Sequence, residues 1–412
     1  MNYLLKVLSI SLIFTFIAPS SYAAIKSGAS CTKVGLKNVS AGKSYTCVKQ
    51  GKKLVWNKGT AVSTSKPVAG NNSSATTVAP PAPKYPAVPT GFDDLWEKRD
   101  GIVYGVWSKV INEYKKNKVK LPEFQIYRGA NTPEYISDVK LRAALADVAQ
   151  LYATYQIPEK VVLFYYSRAD LDSMTETAKR VMGPEFQKAY DAHGGPLVKC
   201  NVAGDCDDGD AYVGLDGTGY MAVGVSIKPT TDMKERYQVA NAETTEFYHC
   251  IQQNFYAINK SSLPKVNGLS AANKPPHWLS SSSENTTSQV LANKDNFEEF
   301  AKTQMGFKSW AKNIGIDFTT EWVDNYVDIK NLNNMWSDNR FFAGGRNSML
   351  MGGMINNILI SIKGPSVMLD FHKDMSAGVS FEESFKKQFG VTWTSVSPLI
   401  SKVVYDTHQK SW

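Results

Sequence analysis

The first 91 residues of this 412-residue chain contain no acidic residue and no arginine, yet they hold eleven lysines. The whole chain carries 46 basic and 38 acidic residues, so positions 92–412 hold 35 basic and 38 acidic ones and are slightly acidic. That larger part lacks the electrostatic footprint of a nucleic-acid binder, and attraction to an anionic surface belongs to the N-terminal part alone. Long apolar runs are scarce as well. Val7–Ala18 is an unbroken run of apolar and hydroxyl residues, and at about 12 residues it is too short to span a bilayer. Lys6 precedes it, Pro19 ends it, and Ser21-Tyr22-Ala23 supplies small residues at a cleavage site, so 1–23 is expected to be a signal peptide. No later segment is predicted to cross a membrane, and Cys31 lies too far from the apolar core for a lipoprotein box. The chain also lacks a Gly-x-Ser-x-Gly elbow, a phosphate loop and a dinucleotide fingerprint, which removes the function classes those motifs mark.

Cysteine is sparing, five in all. In an oxidising compartment Cys31–Cys47 and Cys200–Cys206 are the expected disulfides, the second closing a tight Asn-Val-Ala-Gly-Asp loop, and Cys250 is left as a buried free thiol. The first pair falls in a short basic module, 24–60, in which glycines supply turns and Tyr45–Val48 and Leu54–Trp56 read as strands about Lys49–Lys52. So small a unit cannot bury much surface, so a disulfide and one tryptophan must hold it together. The module resembles a two-cysteine unit found near the N-termini of exported actinobacterial proteins. Positions 61–91, rich in Ser, Thr, Ala and Pro, read as an extended linker.

From 92 to 412 the pattern predicts an α+β fold, with a small mixed or antiparallel sheet and a helical C-terminal lobe. Asp94–Lys115, Lys140–Tyr155, Leu171–Tyr190 and Lys234–Tyr256 carry helical periodicity. Val161–Tyr166 reads as a buried strand, and Ala211–Leu215 and Tyr220–Val225 read as a hairpin about Asp216-Gly217.

Within the helix near 240 stands Glu243-Thr-Thr-Glu246-Phe-Tyr-His249-Cys-Ile-Gln252. A His-Glu-x-x-His helix places two imidazoles on one face for zinc and a glutamate between them as general base. The segment resembles that helix of the gluzincin, or thermolysin-like, zinc peptidases. Glu246 falls at the general-base position and His249 at the second ligand, while Thr245 replaces the first. The family's third ligand lies in a Trp-Leu-x-Glu-Gly stretch. Here Trp278-Leu279-Ser280-Ser281-Ser282 places Ser281 at that ligand position. Downstream, Phe341–Gly345 and Phe381-Glu-Glu-Ser-Phe385-Lys-Lys-Gln-Phe389-Gly390 resemble the family's helical lobe.

With two ligand positions lost, the resemblance implies no cofactor and an exported, non-catalytic peptidase-like domain. It would bind a peptide or protein along an edge strand Tyr220–Val225 and the cleft beside the Glu246 helix, tethered to an anionic envelope polymer through 24–60. The alternatives are an active hydrolase with a rearranged zinc site of Glu246, His249 and Glu284, and an envelope structural protein without a ligand. A replacement site from His249, His277 and Glu284, a calcium loop at Asp205–Asp210 and other uses of the scattered histidines carry less weight than packing and turn roles.

Overall fold

The computed structural model describes residues 26–31, 33–35, 37–40, 43–61, 85–118, 121–193, 200, 206, 208–259, 276–280, 283–305, 320–327 and 345–410. The expected signal peptide, most of the linker, Phe341–Gly344 and the 201–205 loop lie outside them. The chain divides into two compact units, Met1–Pro81 and Ala82–Trp412.

In the first unit β2 (Lys43–Gln50) is the centre of an antiparallel sheet, with β1 (Lys37–Ser40) on one edge and β3 (Lys53–Trp56) and β4 (Thr60–Ala61) on the other. Strand alternation puts Tyr45 and Cys47 on one face, and register places Trp56 opposite Cys47, which gives the unit its core. Cys47 is bonded to Cys31 there.

The second unit is built on a four-stranded mixed sheet in the order β5 (Glu123–Arg128), β6 (Lys160–Tyr166), β8 (Gly219–Gly224), β7 (Asp208–Val213). β5, β6 and β8 run parallel, and β7 is antiparallel to β8. From Val161 to Tyr166 β6 is apolar without interruption because both of its faces are covered. Val162, Phe164 and Tyr166 meet Met174, Ala178, Met182 and Phe186 of α3 (Leu171–Met182) and α4 (Pro184–His193). Val161, Leu163 and Tyr165 face the large core, which includes residues of α1 (Ile102–Lys116), α2 (Asp138–Leu151) and α6 (Asn241–Ile258).

Beyond α5 (Thr231–Gln238) and α6 the elements among the described residues are helices: α7 (His277–Ser280), α8 (Ser283–Ala292), α9 (Phe297–Met305), α10 (Thr320–Val327), α11 (Gly345–Lys363), α12 (Ser366–Ser376), α13 (Phe381–Phe389) and α14 (Trp393–Lys410). The lobe is an aromatic core. Trp278 stacks on Trp393 at 5.1 Å, and Phe371, Phe381 and Phe385 pack about them. Local chemistry sets the ends of α13: Ser380 and Glu383 form a capping box at its start, and Gly390 at φ 77° closes it. The fold is α+β. No helix among the described residues is long and apolar enough to cross a membrane.

Several boundaries differ from the periodicity. α1 starts at Ile102, because Asp94 accepts hydrogen bonds from the N–H groups of Thr90 and Gly91 and holds the preceding segment in turns. The single helix expected over 171–190 breaks at Gly183, and that over 234–256 breaks at Ala240, which takes φ 55°. Tyr85, within the stretch read as linker, stacks on Tyr104 at 4.2 Å and meets Phe297, so this end of it packs on the large unit. The expectation of an edge strand at Tyr220–Val225 is corrected: β8 is paired on both sides, and β7 is the strand beyond it.

Both expected disulfides are present and Cys250 is a buried free thiol. Burial raises its pKa well above the ordinary thiol value. Thiol titration of the unfolded, unreduced protein is therefore expected to find one reactive group, and native protein to react slowly; three or five groups would contradict the pairing.

Candidate functional site

α6 brings the motif residues to the face of the sheet. Gly209 of β7 has no side chain where Glu246 lies, and a Cβ there would overlap the carboxylate oxygen Oε1. Glu246 is 8 % exposed. One turn along the helix, His249 Nδ1 lies 2.7 Å from the Gln252 carbonyl oxygen Oε1. Its Nε2 lies 3.9 Å from Glu284 Oε1, on α8. Glu284 is fully buried, and neither of its carboxylate oxygens has a hydrogen-bond partner among the described residues.

Burial disfavours the His249 cation, but the nearby carboxylates of Glu284 and Glu246 outweigh it and raise the imidazole above its ordinary pKa. Burial raises Glu284 as well, with His249 pulling it the other way. The two groups lie at a separation too long for a direct hydrogen bond.

Thr245, four residues before His249 and so on the same helix face, is 8 % exposed, and its hydroxyl has no hydrogen-bond partner among the described residues. Ser281, the expected remnant of the third ligand, lies outside the described residues, as does the side chain of His277. The carboxylate that meets His249 is that of Glu284, three positions further on.

His249 and Glu284 are two good zinc ligands, but Thr245 is a neutral hydroxyl, and a catalytic zinc takes three protein ligands with an open fourth position. Among the described residues no group of three or more His, Cys, Asp or Glu is placed to hold a metal ion. His249 and Glu284 with Thr245 are one ligand short of the three protein ligands that a catalytic zinc takes.

Three further features escaped the sequence. Gln252 continues to His372 of α12, with Gln252 Nε2 3.0 Å from His372 Nε2. Gln253 lies along β7: its amide accepts from Val213 N–H at 3.0 Å and donates to Ala211 C=O at 2.9 Å. Ala211 N–H is also engaged, with Asp210 Oδ1 at 3.0 Å. The strand's outward backbone groups are thereby occupied over Ala211–Val213, which obstructs the addition of another strand there.

Glu243, in the first turn of α6, is fully buried with both oxygens lacking hydrogen-bond partners among the described residues. Burial pushes it up to about 7, against the pull of its own backbone N–H and of Arg128. No local pattern marks any of these three as functional.

A crevice of about 450 Å³ opens at the other end of α6, lined by Ile157, Pro158, Leu215, Asn254, Ala257 and Ile258 among others. Leu215 is 69 % and Ile258 44 % exposed.

Comparison of the chain with protein-family models, with curated proteins and with solved structures found no match.

Proposed function

We propose that the chain is an exported, non-catalytic peptidase-like protein that binds a peptide or protein, held to an anionic polymer of the cell envelope by its basic N-terminal unit. The observation that carries this reading is the donor set on α6, where Thr245 stands in the place of an imidazole and leaves His249 and Glu284 one ligand short.

The two disulfides fit an oxidising compartment, in keeping with the leader at 1–23. Lys26, Lys33, Lys43, Lys49, Lys52, Lys53 and Lys58 are all exposed, with no acidic residue among them to offset their charge, which suits a polyanion. Because Gln253 occupies β7, the ligand is assigned to the crevice beside Leu215 and Ile258. Its size lies in the ordinary range for small-ligand sites, and two exposed apolar side chains flank it.

Glu284 favours a second reading, an active hydrolase with a rearranged site of Glu246, His249 and Glu284. A fully buried carboxylate with no hydrogen-bond partner beside an imidazole is suited to a cation.

Selection of a displayed random-peptide library on the mature protein separates the readings. Recovered peptides are expected to bind native protein, to lose at least about tenfold in affinity on a Leu215→Glu, Ile258→Glu variant, and to remain uncleaved. Cleavage supports the hydrolase. No recovery, or equal binding by the variant, removes the crevice as the ligand site.

A further inference from the structure

The crevice at the C-terminal end of α6 carries charge of mostly one sign. Three segments meet there: 156–160, which leads into β6, the β7–β8 turn at 215–218, and the last turn of α6. β6 and β8 run parallel with Val161 opposite Gly219. The residues just before those strands, Glu159 and Asp216 among them, therefore lie at the same edge of the sheet. Both are exposed, and neither carboxylate is engaged in an ion pair among the described residues. Asp216 accepts from the Thr218 N–H and from the Thr218 hydroxyl, each at 3.0 Å. Those bonds fix the carboxylate at the turn and leave it further acceptor capacity.

α6 ends on the same crevice with Ala257 and Ile258. Carbonyls at a helix C-terminus carry a partial negative charge, and the last turn of α6 has no basic residue to offset it. Among the described residues Lys160 is the one cation of the lining. It shares the parity of Val162, whose side chain packs with α3 and α4, whereas α6 lies on the opposite face with Val161. The α6 side of the crevice thus offers two carboxylates and a helix C-terminus beside the exposed side chains of Leu215 and Ile258.

We propose that the crevice selects peptides in which a lysine or arginine stands within two residues of a large aliphatic residue. The aliphatic side chain packs against Leu215 and Ile258, and the cation is met by Glu159, Asp216 and the carbonyl end of α6. The proposal rests on the crevice being the peptide site and adds the chemical class of the ligand. Apolar contact supplies most of the affinity, because it removes exposed aliphatic surface from water. The charges decide among peptides, since a cation is attracted and an anion repelled at the same place. A single exposed ion pair is weak, so the selectivity comes from three negative groups acting on one cation.

The test is fluorescence-polarisation titration of the mature protein with four labelled octapeptides on one Gly-Ser frame. They carry a leucine with a lysine two residues on, a leucine with a glutamate there, a leucine alone, and a lysine alone. At low salt the leucine–lysine peptide is expected to bind at least about tenfold more tightly than the leucine–glutamate peptide, with leucine alone between them. High salt should shrink that gap. A Glu159→Lys, Asp216→Asn variant should reverse the order of the two charged peptides. Both positions are exposed, and asparagine keeps a side-chain acceptor for the turn. If the double variant does not fold, Glu159→Lys alone should abolish the preference for lysine.

Equal affinity for the lysine and glutamate peptides overturns the proposal, as does a preference that the folded variant leaves unchanged. If those peptides still lose affinity on Leu215→Glu, Ile258→Glu, the crevice stands as the peptide site without its charge selectivity. Absence of binding by the leucine–lysine peptide overturns the proposal as well, and the crevice is then judged by the library selection alone.

Discussion

Glu243→Gln is expected to stabilise the protein by about 3 kcal/mol at pH 8.5 relative to its effect at pH 5. Burial raises the carboxyl from its ordinary value of 4.5 to about 7 in the folded state. At low pH both folded and unfolded chains hold the proton and the group costs nothing electrostatic. Between these two values the unfolded chain has released its proton and the folded chain has not, so stability falls as pH rises. Above the folded value the penalty is complete, and each pKa unit of difference is worth about 1.4 kcal/mol. Glutamine has no charge to bury and escapes the penalty, so the gain grows as pH rises from 4.5 to about 7 and is complete above that.

His372 works in the opposite sense. With its folded pKa lowered to about 4 from 6.5, the unfolded chain binds the proton first on acidification, and stability is lost as pH falls through that window. In native protein the two slopes oppose one another, which is why the comparison is made against the variant. Urea unfolding of both proteins at the two pH values gives the result, and an equal difference at both would show that Glu243 is not buried as a neutral acid.

Asp170→Ala is expected to cost about 4 kcal/mol, because hydrogen bonds to a charged group are worth roughly 1.5–3 kcal/mol each and their loss leaves buried donors unsatisfied. Asp170 joins the loops that follow β5 and β6. It accepts from the Asn131 backbone and side-chain amides, from Thr132 hydroxyl at 2.7 Å and from Ser167 hydroxyl at 3.1 Å. Gly129 makes room for it, since a Cβ there would overlap the carboxylate. Burial alone would raise its pKa, but the hydrogen bonds from Thr132, Asn131 and Ser167 outweigh burial and hold it low. Its contribution is therefore present above the ordinary value of 3.8 and is lost as pH falls below that toward the folded value. Denaturant midpoints at pH 7 and pH 3 should show a large gap between native and variant at the first and a smaller one at the second. A change under about 1 kcal/mol at pH 7 would remove Asp170 as the tie between the loops.

Elements whose cause is local were legible in the sequence. β6 announces itself as an unbroken apolar run because helices cover both faces, and the β7–β8 turn is written as Asp216-Gly217, with Gly217 at φ 79°. β5 was missed because only part of Glu-Phe-Gln-Ile-Tyr-Arg meets the core; it is an edge strand without a buried run. The break between α5 and α6 was missed because Ala240, not glycine, takes the left-handed turn, a conformation tertiary packing imposes and propensity argues against.

At the site, Glu246, His249 and Thr245 follow from one helical segment. Glu284 was named only among the alternatives, since the resemblance pointed to Ser281, three positions earlier in the sequence. His372 is 120 residues from the amide it meets, and no local pattern encodes that distance.

Zinc content of native protein and of a Thr245→His variant, each loaded with excess zinc and dialysed, tests the proposed ligand-deficient site most directly. The substitution places a second imidazole four residues before His249, on the face that already carries it, with Glu284 as third ligand. Native protein is expected to retain no stoichiometric zinc and the variant one equivalent, lost again when Glu284→Gln is added. A full equivalent held by native protein, or none by the variant, would contradict it.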